Sequence, residues 1–533
     1  MSPPRRLRAP HEDGAVVSEP PLADFASLLA ANRQALSRPP GEILGRPWIE
    51  VRGHAQQTAL AAARSYLQDV CEPVPPLRDA PLLMAGHQPE LFHPGVWIKN
   101  FALHGLAKAH GLTPINLVVD NDTAKSTSLR IPVLNAGANP WPHVVHVPFD
   151  HWSGEAPYEE RQVQDEQLFA TLPARVAELN KDWGFSPFLP SFWEEVRRQA
   201  GRTRLLGERL AAARRDFERR WGCHNLELPV SQLCRTEPFA WFVCHLLLEL
   251  PRFHSTYNAC VQAYRKRYGI RSRNHPVPDL IAEGDWLEVP LWAWRTGSLI
   301  RGRLLGRRTG TAIELRVGQE PWPALPLPAA TGANLVHAWQ DLEQQGLKVR
   351  SRALTNTLYA RLFLADLFIH GIGGGKYDEL TDEIIRQFYH CEPPGYLVLS
   401  ATLLLPLPAF PARPERRRAL AGELRDVRYN PQRHLADDNS RHAEAAELCA
   451  SKDALIHQEP VSARERRERF HALRSLTDRL RPYVANRESQ LLRTLDECVQ
   501  ELQGNAVLRN REYAFCLYPE ELLRPFCMRF LSR

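Results

Sequence analysis

The chain contains no apolar run long enough to cross a membrane as a helix. Such a helix needs about 18 or more consecutive apolar residues, and the nearest stretch, Phe239 to Leu250, is interrupted by His245 and Glu249. The first residues, MSPPRRLRAPHEDGA, carry charge but no apolar segment, so no secretory signal is evident. We therefore expect a cytoplasmic protein with no membrane partner.

Paired cysteines and common metal motifs are also missing. The ten cysteines lie far apart, none of them forms CxxC, and a chain of 533 residues does not need disulfides for stability. The motif HExxH is absent, and no third ligand stands at a recognisable spacing from His87 and His93. We expect reduced thiols and predict no metal site.

The chain has no strong excess of either charge. It contains 67 Lys and Arg against 61 Asp and Glu, and the net charge of +6 is small for its length. This balance does not indicate a nucleic-acid partner. The basic run RERRERF (464–470) is expected to be the solvated face of a helix. The aromatic and basic cluster YRKRY (264–268) leaves contact with RNA open as a weaker alternative.

A strand–helix–strand pattern is present early in the chain. Leu82 to Ala85 is a short apolar run closed by Gly86, which predicts a buried strand that ends in a turn. Apolar residues then recur at helical spacing from Val96 to Ala107, and Gly111 stands where a helix C′ glycine belongs. Ile115 to Val119 is a second apolar run. This order predicts a βαβ unit with a parallel pair of strands.

Polar side chains cluster where both strands of this unit end, and open α/β sheets bind ligands at that edge. We predict His87, Asp120 and Asp122 as catalytic residues, with His87 as acid, base or phosphate partner and the carboxylates as amine or hydroxyl binders. Because a helix N-terminus favours anions, the predicted binding residues here are Gly86, Gln88, His93, Lys99, Asn100 and Asn121. Backbone-bonded loop histidines, capping carboxylates and a solvated lysine are the alternatives.

A second cluster is predicted between residues 350 and 405. The apolar run LFIHG leads into the glycine-rich GIGGGKYD, and Asp378 suits the N-cap of a helix over Glu379 to Phe388. A glycine loop before a helix N-terminus makes backbone N–H groups available to an anion. The predicted binding residues here are Arg352, Gly373, Gly374, Gly375, Lys376 and Asp378. The loop fits neither GxxxxGK[ST] nor GxGxxG, so glycines that serve only a tight turn are the alternative.

The composition is that of a globular protein, and the length predicts several packed units. Near the C-terminus, Ser462 and Glu465 form a capping box, and leucines follow at helical spacing to Leu502 with a kink at Pro482. We predict these units: 1–22 disordered; 23–150 first half of an α/β core; 151–275 helical insertion; 276–334 β-rich insertion; 335–436 second half of the core; 437–505 antiparallel coiled-coil hairpin; 506–533 a segment that docks on the core.

The order of these motifs resembles the cysteine-adding enzymes of bacillithiol biosynthesis (the BshC family of cysteine ligases). In that family a GQQPG-like loop precedes a helix with a lysine, and a strand ends in an acidic EDHD-like motif. AGHQPELFHPGVWIKN and VVDNDT stand in those places here. An arginine and a GGPGE-like loop follow in the family, as Arg352 and GIGGGKYD do here, and a coiled-coil hairpin and a C-terminal segment come last, as 440–503 and LYPEELLRPF do here.

The resemblance implies an α/β fold: a Rossmann-like parallel-sheet core related to nucleotidylyl transferases, with helical and β insertions and a C-terminal antiparallel coiled-coil hairpin. It also implies a ligase that joins cysteine to an amino-sugar conjugate. The motifs depart from the family where His87 replaces Gln, Asp120 replaces Glu and Lys376 to Asp378 replace a Glu-led segment. The implied scaffold is retained, and the substrate is left open.

We therefore expect a ligase that joins cysteine or a similar small amine to a small acceptor, with ATP or ADP as the candidate nucleotide and small molecules as its partners. A homodimer through the coiled coil is a further expectation. The alternative is a scaffold without catalysis, in which the pocket senses a nucleotide and the coiled coil recruits partners. Turnover would distinguish the two.

Overall fold

A computed structural model describes residues 7–37, 41–76, 80–134, 141–328, 332–435 and 443–531. Its strands are β1 (Val16–Glu19), β2 (Glu42–Ile43), β3 (Arg46–Pro47), β4 (Leu82–His87), β5 (Thr113–Val118), β6 (Ser128–Val133), β7 (His143–Pro148), β8 (Leu226–Pro229), β9 (Ala282–Glu283), β10 (Trp286–Arg295), β11 (Gly302–Arg308), β12 (Ala312–Val317), β13 (Glu320–Pro326), β14 (Leu347–Ser351), β15 (Leu367–His370) and β16 (Tyr396–Ala401).

The α-helices are α1 (Phe25–Leu36), α2 (Trp48–Asp69), α3 (Pro94–His110), α4 (Glu166–Ala170), α5 (Leu172–Leu179), α6 (Leu189–Arg198), α7 (Leu206–Arg220), α8 (Val230–Leu233), α9 (Glu237–Leu248), α10 (Leu250–Tyr268), α11 (Ala333–Gln344), α12 (Ala353–Tyr359), α13 (Ile372–Ile384), α14 (Pro414–Tyr429), α15 (Ala443–His457), α16 (Ala463–Leu480), α17 (Ala485–Leu508) and α18 (Glu520–Met528). The π-helical turns Ala360–Leu364 and Ile385–Tyr389 extend α12 and α13. Short 3₁₀ turns lie at Leu22–Asp24, Gln199–Gly201, Pro431–Arg433, Arg481–Val484 and Phe515–Leu517. Within the described ranges, none of the helices combines the length and the apolar character that a membrane crossing requires.

The protein is a mixed α/β protein built around a sheet with five parallel strands. Across this sheet the strands run β16, β15, β4, β5 and β8, with β1 antiparallel to β16 at one edge. Along the chain β4 comes first and the order then moves outward to β5 and β8, before it returns to β15 and β16 on the other side. The connections after β4 and β15 therefore diverge, and open α/β sheets bind ligands in the crevice at such a switch point.

Hydrophobic cores cover both faces of this sheet, which explains why β4, β15 and β16 begin with apolar runs rather than an alternating pattern. Leu82 and Met84 belong to the core that contains α2, α9 and the α12 turn, whereas Leu83 and Ala85 belong to the core that contains α3, α7 and α18. The predicted C′ glycine of α3 is confirmed, because Gly111 adopts a left-handed conformation with φ of 66°. The βαβ unit of β4, α3 and β5 thus forms as its sequence predicts.

A second, antiparallel sheet lies in the order β13, β12, β11, β10 and β14, with β9 paired to β10. Most of it comes from the region predicted to be β-rich, but the strand Leu347–Ser351 lies beyond the predicted boundary at 334. That strand leads directly into α12, and Arg352 is the residue that joins this sheet to the helix. β6 and β7 form a separate antiparallel pair.

The C-terminal helices pack in two pairs. α15 contacts α16, and α14 contacts α17 around Leu424 and Leu491. The predicted capping box is confirmed, because the Ser462 hydroxyl accepts from the Glu465 N–H and the Glu465 carboxylate accepts from the Ser462 N–H. The C-terminal segment that begins at residue 506 lies against α3 through α18. Its Phe515 N–H donates to the carbonyl of Phe92, just before α3, over 2.9 Å.

Two local predictions require correction. The glycine run after β15 is the first turn of α13 rather than a loop, because Gly371 has an extended backbone that lets the helix begin at Ile372. Asp378 is therefore inside α13 and is not the N-cap of a later helix. Residues 1–22 were expected to be disordered, and 1–6 lie outside the described residues; from Leu7 onward the segment packs against β16 and forms β1.

Candidate functional site

A cavity of about 1140 Å³ opens at the switch point of the parallel sheet. Its wall includes Gly86, His87 and Gln88 at the end of β4 and His370 and Gly371 at the end of β15. The cavity is larger than the usual range of about 300–1,000 Å³ for small-molecule sites, so it has room for two small substrates. Parts of the chain that are far apart in sequence therefore meet at one edge of the sheet.

The cavity wall is strongly basic. Against the carboxylates of Asp122 and Glu512 stand eight Lys and Arg side chains: Arg8, Lys99, Lys125, Arg301, Arg303, Arg352, Lys376 and Arg511. Walls with an excess of one charge attract ligands of the opposite charge. The wall chemistry favours an anionic ligand.

Three helix N-termini also open into the cavity. The first turns of α3, α12 and α13 line it through Gly95, Ala353 and Gly373. None of the three has a side-chain cap or an acidic residue in its first turn. A helix leaves its first N–H groups without intrahelical partners and carries partial positive charge at that end. Phosphate or carboxylate oxygens are the groups that these N–H donors would bind.

Lys99 is the buried cation of this site. Its side chain is only 4% exposed, and Nζ makes a long contact of 3.4 Å to the Gly86 carbonyl. In the described part of the chain, no carboxylate oxygen lies within ion-pair distance of this Nζ. Burial lowers the Lys99 pKa to about 8, which is above neutral pH and keeps the side chain mostly protonated at pH 7. The ammonium is thus charged, desolvated and without an acidic partner.

His87 and His93 are neutral at physiological pH. Burial, assisted by the Lys99 charge, lowers the pKa of His87 to about 3, and burial with Arg511 and Lys99 lowers that of His93 to about 3. The Nδ1 of His93 is buried and has no hydrogen-bond partner among the described residues. Neutral imidazoles can donate or accept at a ligand without adding charge. The His93 Nδ1 is accordingly an unsatisfied polar atom at the N-terminus of α3.

The loop after β5 forms the opposite wall. The Gln88 amide donates to Asp122 Oδ2 over 2.9 Å, and Arg301 donates to the Asn121 carbonyl and to Asp122 Oδ1 over 2.7 and 3.2 Å. The Asn121 amide donates to the Ser351 carbonyl over 2.7 Å, which ties this loop to β14. These contacts hold the Asp122 carboxylate in one orientation in the cavity.

Arg352 stands where β14 meets α12. Its Nη2 lies 2.7 Å from Glu288 Oε1, and its guanidinium stacks on the Trp292 ring at 4.2 Å. Arg301 stacks on the same indole at 4.7 Å. The Arg352 Nε is buried without a hydrogen-bond partner among the described residues. The antiparallel sheet thus supplies a basic wall to the cavity, and the ends of the parallel strands form its floor.

Four of the predicted residues do not line the cavity. The Asn100 amide donates to Glu218 on the other side of α3, and Asp120 accepts from the Ser231 backbone N–H over 2.8 Å. Burial and Glu159 raise the Asp120 pKa to about 7. Gly375 packs against Val398. Asp378 contacts His370 on the side of the imidazole away from the cavity. Eleven others do line it: Gly86, His87, Gln88, His93, Lys99, Asn121, Asp122, Arg352, Gly373, Gly374 and Lys376.

Sequence reasoning missed His370, Arg301, Trp292 and Arg511, which also line the cavity. The sequence did contain a signal for His370 as a site residue, because it is the polar residue that ends the apolar strand LFIH. Arg301 and Trp292 lie in a sheet whose position relative to the core has no local sequence signal. Arg511 reaches the site from the C-terminal segment, where its Nη2 donates to the Ser400 hydroxyl over 3.1 Å.

Among the described residues, no group of three or more His, Cys, Asp or Glu side chains is placed to hold a metal ion. Compared with models of protein families, the chain matches none. A search among curated proteins finds no match either. The function is therefore inferred from the residues of the cavity.

Proposed function

We propose that the chain is an enzyme that binds a phosphate-bearing small molecule at the switch-point cavity and joins it, or a group activated by it, to a small amine. The observation that carries this proposal is the meeting, in one cavity, of three uncapped helix N-termini with the buried Lys99, which has no carboxylate partner among the described residues. An anion is the partner that satisfies the lysine and the exposed N–H groups together.

The strand order supports a Rossmann-like core. Numbered by chain position, the five parallel strands lie in the order third, second, first, fourth and fifth, which is the order of dinucleotide-binding sheets. In such sheets the phosphates lie at the N-terminus of the helix after the first strand, and here that helix is α3. ATP or ADP is accordingly the nucleotide we propose, with its phosphates at Lys99 and the first turns of α3 and α13.

The size of the cavity supports a reaction between two substrates. The phosphates would occupy the floor, and the basic wall of Arg301 and Arg352 would bind the carboxylate of an amino acid or of its acceptor. Asp122, held by Gln88 and Arg301, would bind the ammonium group of the amine. The form of ligation that the family resemblance implies, in which cysteine is joined to an amino-sugar conjugate, fits these groups.

The C-terminal helical extension, which consists of α14 to α17, would then serve assembly. The helix pairs α14–α17 and α15–α16 are the elements that a coiled-coil hairpin and a homodimer would use. The alternative function, a nucleotide sensor that recruits partners through this extension, predicts binding without turnover.

Calorimetry with ADP, pyrophosphate and cysteine, followed by mass spectrometry of products formed from ATP, cysteine and an amino sugar, tests the proposal. We expect ADP to bind and a new amide to form. His87→Gln and Asp122→Asn should each reduce affinity or rate about 10- to 100-fold, since each removes a contact worth about 1.5–3 kcal/mol. The exposed His337 provides the control His337→Gln, which should behave as wild type.

Two results would decide against the proposal. ADP binding with no product from any tested pair of substrates would favour the sensor. Absence of binding by ADP and by pyrophosphate would exclude the anion site itself.

A further inference from the structure

His370 and Asp378 form a buried pair at the cavity that the proposed binding site does not use. The His370 Nε2 lies 2.9 Å from Asp378 Oδ2, and the Arg361 Nη1 lies 2.6 Å from the same oxygen. The carboxylate and the guanidinium are each about 1% exposed, whereas the imidazole lines the cavity at the end of β15. The geometry is that of an imidazole oriented from behind by a carboxylate.

The charge on Asp378 determines which imidazole nitrogen carries the proton. Burial alone would raise its pKa, but the charge of Arg361 and the hydrogen bond from His370 hold the Asp378 pKa well below its usual range. Asp378 is thus an anion that can only accept a hydrogen bond. In the neutral imidazole the proton therefore lies on Nε2, and Nδ1 keeps a free lone pair.

The first turn of α13 passes beside His370 Nδ1 at Gly374, a residue without a side chain. A Cβ atom at Gly374 would lie 2.9 Å from the His370 Nδ1, closer than side chains normally approach. At Gly373, one residue earlier in the same turn, a Cβ atom would meet no heavy atom within 4 Å. Both glycines lie in a helical turn where alanine is the better helix former. The glycine at 374 thus leaves space beside Nδ1 that any side chain would fill.

We propose that His370 is the proton acceptor of this cavity, with Asp378 and Arg361 as its positioning residues. The inference rests on the proposed function for the identity of the nucleophile. As the amine nitrogen bonds to a phosphate-activated acyl carbon, its proton passes to His370 Nδ1. The carbon–oxygen bond to phosphate breaks with its electron pair on the phosphate, and the imidazolium then returns the proton to that phosphate or to water.

Carbethoxylation of the full-length protein with diethyl pyrocarbonate, mapped by mass spectrometry, tests the lone pair without any substrate. We expect His370 to react in the folded protein, with a rate at least about 10-fold lower in Gly374→Ala and unchanged in Gly373→Ala. Equal rates in the two variants, or an unreactive His370 in the folded wild type, would overturn the inference. Because neither variant alters the Asp378–Arg361 pair, both are expected to fold.

The role of Asp378 is tested by nitrogen NMR of protein labelled at histidine, with the His370 signal identified by its loss in His370→Gln. At a pH where the ring is neutral, the expected signal is that of a proton on Nε2, and a proton on Nδ1 would overturn the positioning role. Where the product assay reports turnover, His370→Gln should lower kcat about 100-fold or more with KM little changed. A failed product assay with the expected carbethoxylation and NMR results would reject the ligase and retain His370 as the proton acceptor.

Discussion

Two buried clusters of charge lie on different sides of α3, and they differ in how their charges are paired. In the paired cluster, Arg214 contacts Glu218 and Glu227 over 2.8 and 2.5 Å, and Arg215 contacts Glu227 and Glu72 over 2.6 and 2.8 Å. In the cavity cluster, Lys99 is also buried and Arg511 is half-buried, but their hydrogen bonds go to a carbonyl and a hydroxyl.

The pKa values of the two clusters shift in opposite directions. Burial alone would lower the pKa of Arg214, but Glu218 and Glu227 outweigh it and raise that pKa. Burial lowers the pKa of Lys99, and it lowers the pKa of Arg511 although Glu512 and Tyr518 act in the opposite direction. Buried charges persist in proteins when they are paired. Each arginine of the paired cluster therefore has carboxylate partners within the protein, whereas an anionic ligand would supply such a partner to the cavity cluster.

The largest effect is expected from Glu227→Gln in the paired cluster. The substitution keeps the shape of the side chain but removes the charge that faces both Arg214 and Arg215. Removing one partner of a buried ion pair costs about 3–5 kcal/mol, measured as a shift of the unfolding midpoint in guanidinium. Glu415→Gln, at an exposed pair with Arg418, should leave the midpoint unchanged. Similar midpoints for both variants would show that the paired cluster contributes nothing to stability.

The second effect comes from Lys99→Met in the cavity cluster, and we expect it in ligand affinity rather than in stability. Removing an unpaired buried charge should leave the unfolding midpoint unchanged or higher, while the affinity for ADP falls about 10- to 100-fold, since a charge-assisted hydrogen bond is worth about 1.5–3 kcal/mol. Calorimetry measures the affinity. Lys108→Met is the matched control, because Lys108 lies on the same helix with its side chain exposed. A loss of stability without a loss of affinity in Lys99→Met would assign Lys99 to the fold.

The contrast between the clusters also shows what could be predicted from the sequence. The apolar strands on both sides of α3 and the polar residues at their ends follow from local pattern, and parallel pairing brings His87 and Gly374 to the same cavity. The sequence alone did not separate Lys99 from Asn100, which are neighbours on α3 but face the two different clusters. Their roles depend on what each side of the helix packs against.

Other parts of the site depend on contacts between distant segments. Asp378 has the residue type of a helix N-cap, but its role follows from Arg361 and His370, which a local pattern does not link to it. Arg511 is more than four hundred residues from Lys99, and nothing in its own surroundings marks it as a residue of the cavity. Local rules predicted the strands and their ends, and tertiary packing supplied the remaining wall.

The third effect is a pH dependence of stability that belongs to Lys99. Its pKa is about 8 in the folded protein, against 10.5 for the unperturbed side chain. Between these two values the unfolded chain holds the proton more tightly than the folded one, so stability rises with pH in this window because the cost of the buried charge disappears. Below about pH 8 the lysine is protonated in both states, and its contribution does not change.

The measurement is the difference between the thermal unfolding midpoints of wild type and Lys99→Met, followed from pH 7 to pH 10. We expect the wild type to gain on the variant as the pH passes about 8, whereas its difference from Lys108→Met stays constant. Added ADP should move the onset of this gain to higher pH, because a bound anion stabilises the protonated lysine. A difference that is flat across the window, with and without ADP, would mean that Lys99 is not desolvated and that the comparison between the two clusters fails.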